Sequence, residues 1–119
     1  MVEDDRYSRE LAEKILHHAG YEHVSVENGQ KCLDILHSLM PDLIIMDLSM
    51  PLLDGWETTK IIKGQPDFYH VPIVVVSAHA MSDEKKKAIE CGCDEYISKP
   101  YRPQELLSVV RMLLKEEVN

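Results

Sequence analysis

The chain has 119 residues and a formal net charge of −8, with 45% hydrophobic and 29% charged residues. This size and composition are typical of one folded domain, so we expect a single domain over residues 1–119. The negative charge argues against direct binding to nucleic acid or to anionic membranes, and the longest apolar runs are far too short to span a bilayer. The acidic start, MVEDDR, is unlike a secretory signal. We therefore expect a cytoplasmic protein.

The spacing of apolar residues predicts helices and strands in alternation. Helical periodicity runs from Arg6 to Ala19, and alternation at Val24 and Val26 predicts a strand over residues 23–27. Further helices are predicted over residues 30–39 and 56–63, from Ser82 or Asp83 to Cys91, and from Pro103 to about Glu116. Further strands are predicted over residues 43–46, 73–76 and 95–98. Strands that alternate with helices indicate βαβ units around a parallel sheet.

The strand patterns also predict positions within the sheet. Residues 43–46 and 73–76 are continuously apolar, as expected for interior strands covered by helices on both faces. The strands near Val24 and Tyr96 alternate with polar residues, as expected for edge strands. Ligands of such sheets bind beyond the carboxyl ends of the strands. The residues that end each strand are therefore the candidates for a functional site.

Polar and charged residues follow several of these strands. They are Glu3, Asp4 and Asp5 after Val2, and then Asp47, Ser77 and Lys99. Carboxylates gathered at one edge of a sheet repel each other unless a cation lies among them. Mg²⁺ is the natural candidate, because it prefers hard oxygen ligands and often binds one or two carboxylates together with a phosphate oxygen.

The three cysteines do not indicate a disulfide framework. Their number is odd, and the chain shows no secretory signal. Cys91 and Cys93 flank Gly92, but no nearby group of Cys or His completes a set of four zinc ligands. We interpret both as small residues that pack at a helix end.

Four segments, taken together and in order, resemble the response-regulator receiver domain. They are VEDD (residues 2–5), MDLSMPLLDG (46–55), VVVSAHAM (74–81) and YISKP (96–100). The resemblance covers nearly the whole chain. It implies a doubly wound, flavodoxin-like α/β fold, with five parallel strands in the order 2-1-3-4-5 and helices on both faces.

The resemblance implies a phosphorylation site that uses Mg²⁺. Asp47 occupies the position of the phosphoacceptor, and Asp4 that of a direct metal ligand. Ser49 lies where the family supplies a backbone carbonyl to the metal, and Glu3 lies where an acid acts through water. Since a carboxylate is ionised at neutral pH, Asp47 needs no general base to attack phosphorus. Its obstacle is the negative charge of the phosphoryl group, which Mg²⁺ and Lys99 would offset.

The resemblance also implies a conformational switch. Ser77 matches the family's hydroxyl position and would donate to the new phosphoryl group, and Tyr96 matches the aromatic switch position, although a fixed edge-strand aromatic is the simpler alternative. Lys99 matches the invariant lysine and is expected to precede a cis bond to Pro100.

The implied donor is a histidine kinase or a histidine phosphotransfer protein, and a homodimer is left open. The surface expected to meet a downstream partner includes Lys85, Lys86, Glu95, Tyr96 and Glu105.

Three other functions compete with this one. The first is a receiver-shaped interaction module that does not use phosphorylation. A flavin carrier would need a phosphate-binding loop after the first strand, where this chain has Glu3, Asp4 and Asp5. An aspartyl-phosphate phosphatase usually has a second Asp at the position of Ser49. The chain is not expected to be a conventional enzyme, beyond catalysing its own phosphorylation and slow dephosphorylation.

The start of the chain departs from the family pattern. Only Met1 and Val2 precede Glu3, where the family has a longer apolar strand. Since this strand lies inside the sheet, we expect its neighbours to lack some hydrogen-bond partners. The simpler interpretation of Asp4 or Asp5 is a cap for the helix that follows.

Overall fold

The computed structural model describes residues 1–3, 5–48, 55–77, 86 and 89–115. Within them, the helices are α1 (Arg6–His18), α2 (Gly29–Leu39), α3 (Gly55–Lys63) and α4 (Pro103–Leu113). The strands are β1 (Ile44–Asp47), β2 (Ile73–Ser77) and β3 (Glu95–Ser98). These bounds agree with the predicted elements to within a few residues.

The predicted helix that ends at Cys91 is described at residues 86, 89 and 90, which are helical. Its proposed caps, Ser82 and Asp83, lie outside the described residues, as does Lys85. Glu116, the predicted end of the last helix, also lies outside them.

The three strands form a parallel sheet in the order β1-β2-β3. Single residues extend it on the β1 side, since Val2 bridges in parallel to Met46 on one side and to Val26 on the other. The spatial order across the sheet is thus residues 24–26, residues 1–3, β1, β2 and β3. The predicted order 2-1-3-4-5 is confirmed. The predicted length of the strand over residues 23–27 is wrong, because it is reduced to the single bridging residue Val26.

The short first segment pairs with both of its neighbours. Val2 donates its N–H to the Ile45 carbonyl at 2.8 Å and accepts from the Asp47 N–H at 3.0 Å. On its other side, Val26 donates to the Met1 carbonyl at 2.9 Å, and Glu3 donates to the Val26 carbonyl at 3.0 Å. From Met1 to Glu3, the backbone of this segment is therefore paired with its neighbours on both sides.

The core lies on both faces of the sheet. Ile44 and Met46 pack on the face covered by α2 and α3, whereas Ile45 packs on the face covered by α1 and α4. Every residue of β1 and β2 is buried. In β3 only Ile97 is buried, which confirms the predicted interior and edge positions.

Local signals explain where α1 begins and ends. Asp5 is its N-cap, and the Oδ2 of Asp5 accepts a hydrogen bond from the Ser8 N–H at 2.9 Å. Beyond the other end, Gly20 has a φ of +87°, a left-handed conformation that costs least for glycine. Asp5 is thus a capping residue, as the simpler interpretation of it predicted.

Candidate functional site

Parallel strands bring the predicted site residues to one edge of the sheet. Asp47 ends β1, Ser77 ends β2, and Lys99 directly follows β3. Glu3 follows the bridging residue Val2. All four belong to the carboxyl ends of neighbouring strands, as the sequence predicted. The other two proposed metal-site residues, Asp4 and Ser49, lie outside the described residues.

A lysine and two carboxylates form the centre of this site. The Nζ of Lys99 lies 2.7 Å from the Oε1 of Glu3 and 3.8 Å from the Oδ2 of Asp47. Glu3 is 1% exposed and Asp47 6% exposed, while 22% of the Lys99 side chain reaches solvent. The sequence predicted all three residues, but it did not predict that Lys99 would bind Glu3 more closely than Asp47.

Backbone contacts hold Lys99 and Glu3 in these positions. The N–H of Lys99 donates to the Ser77 carbonyl at 2.7 Å, which ties the loop after β3 to the end of β2. The bond between Lys99 and Pro100 is cis, which confirms the prediction for it. The Nη1 of Arg9 donates to the Glu3 carbonyl at 3.1 Å, so α1 also helps to fix the acid.

Burial and charge change the protonation of Glu3. Burial raises the pKa of Glu3 to about 7, and a hydrogen bond with the Asp47 carboxyl group works in the same direction. The hydrogen bond from Lys99 opposes this rise. Without a further cation, Glu3 is therefore substantially protonated at neutral pH.

For Lys99, in contrast, the environment favours the charged form. Burial works against its charged form, but the hydrogen bond to Glu3 and the charges of Asp47 and Glu3 outweigh it and raise the pKa of Lys99. The ammonium therefore stays charged through the neutral range. It is a fixed positive charge beside the Asp47 carboxylate.

The chemistry of these groups suits a divalent cation. Two nearly buried carboxyl groups, those of Glu3 and Asp47, are close enough to share a hydrogen bond. Such hard oxygen ligands are those that Mg²⁺ prefers. Among the residues that the structure describes, no group of three or more His, Cys, Asp or Glu side chains is placed to hold a metal.

Gly55 packs against the backbone that carries Asp47, a role that the sequence analysis did not assign to it. It begins α3, and a Cβ added there would clash with the Asp47 carbonyl oxygen and lie 2.8 Å from the Cα of Leu48. A side chain at this position would therefore push α3 away from the strand end that carries Asp47. In the sequence, this role is indicated only by the position of Gly55 at the end of the segment MDLSMPLLDG.

Tyr96 lies on β3, which is an edge strand of the sheet, as predicted. It is half-buried, pairs opposite Val75, and packs against the core on the α2 and α3 face. Ser77, two positions beyond Val75 along β2, is fully buried. The two proposed switch residues thus lie on adjacent strands.

Cys91 and Cys93 are buried free thiols. Burial raises the pKa of the Cys93 thiol to about 11, which disfavours the thiolate that a metal would bind. This agrees with packing as the role of Cys93.

Comparisons with known proteins agree with this geometry. The family model described as "response regulator receiver domain" matches residues 1–111. The chain belongs to this family. The polar-differentiation response regulator DivK of Brucella anthropi is 32% identical to this receiver domain over 114 residues, which are 96% of this chain and 93% of that protein.

Solved structures give the same result for the fold. A putative response regulator from Chloroflexus aurantiacus is 31% identical to this receiver domain, with a TM-score of 0.93, over 97% of this chain and 94% of that one. The receiver domain of a Pseudomonas aeruginosa sensor histidine kinase is 27% identical, with a TM-score of 0.89 and the same coverage. That structure has a magnesium ion coordinated in its active-site cleft.

The chain is thus a receiver domain of two-component signalling, with the flavodoxin-like α/β fold. Receiver domains interact with histidine kinases and with downstream partners. Within the described part of the chain, no helix is long and apolar enough to cross a membrane.

The raised pKa of Glu3 predicts a pH-dependent stability in metal-free solution. Between pH 4.5 and about 7 the folded state holds the Glu3 proton and the unfolded state releases it, so Glu3 lowers the free energy of unfolding as pH rises. Glu3→Gln removes this titration. The difference in unfolding free energy, wild type minus Glu3→Gln, should fall over this range by on the order of 2 to 3 kcal/mol.

Urea unfolding at several pH values, in the presence of a chelator, measures this difference. Glu10→Gln removes a carboxylate from an exposed pair with Arg6 and controls for loss of surface charge. A constant difference between wild type and Glu3→Gln across the range would contradict the prediction.

Proposed function

We propose that this receiver domain accepts a phosphoryl group on Asp47 from a phosphohistidine, carried by a histidine kinase or a histidine phosphotransfer protein. One observation carries the proposal. The Asp47 carboxyl group ends a fully buried strand, and its Oδ2 lies 3.8 Å from the ammonium of Lys99. An anionic nucleophile beside a fixed positive charge is the arrangement that attack on a phosphoryl group requires.

The transfer forms one bond and breaks another. A carboxylate oxygen of Asp47 attacks phosphorus, an O–P bond forms, and the P–N bond to the donor imidazole breaks. The imidazole nitrogen keeps the electron pair and takes up a proton. Lys99 stabilises the negative charge on the transferring oxygens, which is the main way proteins assist phosphoryl transfer.

We propose Mg²⁺ as the cofactor, as the magnesium in the Pseudomonas aeruginosa neighbour suggests. Asp47 and Asp4 would bind it directly, Ser49 through its backbone carbonyl, and Glu3 through water. When bound, Mg²⁺ supplies positive charge to the phosphoryl oxygens. Glu3 would then be held ionised, because a cation opposes the burial that raises its pKa.

Signalling would follow from changes of partner among the same residues. After transfer, the phosphoryl oxygens are new acceptors for Lys99, which otherwise donates to Glu3 at 2.7 Å. The Ser77 hydroxyl would donate to another of these oxygens. Tyr96, on the neighbouring strand, would become more buried as the end of β2 shifts inward.

The surface for a downstream partner would include Tyr96 and the residues around it. Lys86 and Glu105 are exposed, and Glu95 is half-buried beside Tyr96, so each is available to a partner. Lys85, the remaining member of the expected surface, lies outside the described residues.

Asp47→Asn tests the site. The change keeps the shape of the side chain but removes the nucleophilic charge, so Mg²⁺-dependent labelling by a small phosphodonor should fall to background. Intact-protein mass spectrometry measures the label. Asp42→Asn, at the exposed amino end of the same sheet region, is the matched control and should label like wild type.

Stable labelling of Asp47→Asn would contradict the proposal. Absence of labelling in the wild type, from either a small donor or a phosphorylated kinase, would favour the alternative of an interaction module that does not use phosphorylation.

The donor protein would dock on a groove beside Lys99. This groove, of about 460 Å³, is lined by Tyr7, Ser8, Leu11, Lys99, Pro100 and Tyr101. Tyr7 is 77% exposed and Leu11 is 46% exposed, which leaves apolar surface next to the reacting group. A protein that carries its phosphohistidine to Asp47 must cover this area, and burial of these side chains would stabilise the complex.

Tyr7→Ala should therefore separate docking from chemistry. Transfer from a phosphorylated histidine protein at limiting concentration should slow by about tenfold, equal to a loss of about 1.4 kcal/mol of binding free energy. Labelling by a small donor should stay unchanged. Tyr69→Ala, which removes another exposed tyrosine beyond α3, is the control. Equal slowing with both kinds of donor would place the effect in the site and not in docking.

A further inference from the structure

The segment that carries the first acids of the site leaves the sheet at Glu3. The N–H of Glu3 still belongs to the parallel ladder, since it donates to the Val26 carbonyl at 3.0 Å. If the ladder continued, the Glu3 carbonyl would accept from the Asn28 N–H. Among the residues that the structure describes, no backbone N–H donates to this carbonyl. Because Glu3 is 1% exposed, its carbonyl needs another donor.

Arg9 of α1 is that donor. Its Nη1 lies 3.1 Å from the Glu3 carbonyl oxygen, in a partly buried contact. A guanidinium is always charged in proteins, and hydrogen bonds from charged donors are stronger than those between neutral groups. The end of the ladder is therefore closed by a side chain of the following helix.

The position of Arg9 is itself restrained. Its backbone N–H donates to the Asp5 carbonyl at 2.9 Å, as the first turn of α1 requires. One turn further along α1, the Oε1 of Glu13 lies 3.9 Å from the Arg9 Nε. Only 20% of the Arg9 side chain is exposed, compared with 83% for Arg6 on the same helix. Arg9 therefore packs against the protein, whereas Arg6 extends into solvent.

The contact of Arg9 is one of several that hold the chain on either side of residue 4. The Glu3 carbonyl belongs to the peptide group that joins Glu3 to Asp4, the proposed direct metal ligand. On the other side of it, the Oδ2 of Asp5 accepts from the Ser8 N–H at 2.9 Å, and the Asp5 N–H donates to the Oε2 of Glu3 at 3.4 Å. The backbone is thus fixed directly before and directly after this residue.

Arg9 also places positive charge beside an acidic segment. Residues 3–5 are three consecutive acids, and like charges so close together repel each other. The hydrogen bonds from Ser8 are the main cause that lowers the pKa of Asp5, and the charges of Lys99 and Arg9 act in the same direction. The guanidinium therefore favours the ionised form of the segment as well as its conformation.

We propose that Arg9 is a positioning residue of the phosphorylation site. Through its hydrogen bond to the Glu3 carbonyl, it fixes the peptide group before Asp4 and so raises the affinity of the site for Mg²⁺. In this role Arg9 contacts neither the metal nor the phosphoryl group. The inference rests on the proposed function, because it takes Glu3 and Asp4 as the acids that serve the metal.

Three single variants of the whole chain test this role. Arg9→Gln removes the charge and the Nη1 donor. Arg9→Lys keeps the charge but lacks the guanidinium fork, so its shorter side chain should hold the carbonyl less well. Arg6→Gln removes the same charge from an exposed pair with Glu10 on the same helix, and it is the matched control.

The first measurement is the ¹³C chemical shift of the Glu3 carbonyl in metal-free protein. Loss of a hydrogen bond to a carbonyl moves this resonance upfield. We expect Arg9→Gln to move it upfield and Arg6→Gln to leave it in place, while amide spectra away from residues 3–9 show that both variants keep the fold. An unmoved resonance in Arg9→Gln would overturn the inference, because the carbonyl would not depend on Arg9.

The second measurement is the affinity for Mg²⁺ alone, by titration followed in the same spectra. Removing a group that orients metal ligands typically lowers metal affinity by about ten- to a hundredfold. Arg9→Gln should therefore bind Mg²⁺ at least about tenfold more weakly than wild type, and Arg9→Lys should fall between the two. Arg6→Gln should stay within about twofold of wild type, since its charge is exposed and screened.

The possible outcomes separate this role from a general effect of charge. Equal weakening in Arg9→Gln and Arg6→Gln, or wild-type affinity in Arg9→Lys, would overturn the inference, because charge alone would then explain the result. Mg²⁺ binding that Arg9→Gln leaves unchanged would contradict the inference and not the proposed function. A wild type that binds no Mg²⁺ would contradict both.

Discussion

The structure of the site depends on one contact between residues that are 96 positions apart, the hydrogen bond from the Lys99 ammonium to the Glu3 carboxyl group. Glu3 is 1% exposed, and a carboxylate so deeply buried is costly unless a charged partner or a proton accompanies it. Lys99 is that partner, and it can reach Glu3 because the last strand brings it back to the edge where the first segment ends. The same ammonium lies near Asp47, so one lysine serves two buried acids.

This arrangement links stability to the proposed chemistry. Burial, together with the neighbouring Asp47 carboxyl group, raises the pKa of Glu3 and so disfavours its ionised form. A divalent cation would favour the ionised form of Glu3, and a phosphoryl group on Asp47 would give Lys99 a competing partner. The free energy that holds Lys99 on Glu3 would therefore set part of the cost of the proposed switch. Gly55 also contributes to the site, because the absence of a side chain lets α3 approach the strand end that carries Asp47.

The sequence predicted the elements whose pattern is strong, and it predicted which residues meet at the carboxyl ends. The apolar runs that became β1 and β2 are buried throughout, and the cis bond at Lys99–Pro100 is present. The strand over residues 23–27 was overpredicted, because its length depends on a first segment that offers pairing only from Met1 to Glu3. The choice of Glu3 over Asp47 as the closer partner of Lys99 depends on distances that no sequence pattern contains.

The most direct test of this account is the position of the Lys99 ammonium in a structure of the protein bound to Mg²⁺ and beryllofluoride, which imitates a phosphoryl group. The account predicts that Nζ leaves Glu3, now 2.7 Å away, and lies within hydrogen-bond distance of a fluoride on Asp47. An ammonium that stays on Glu3, with beryllofluoride bound to Asp47, would contradict the exchange of partners on which the proposed switch depends.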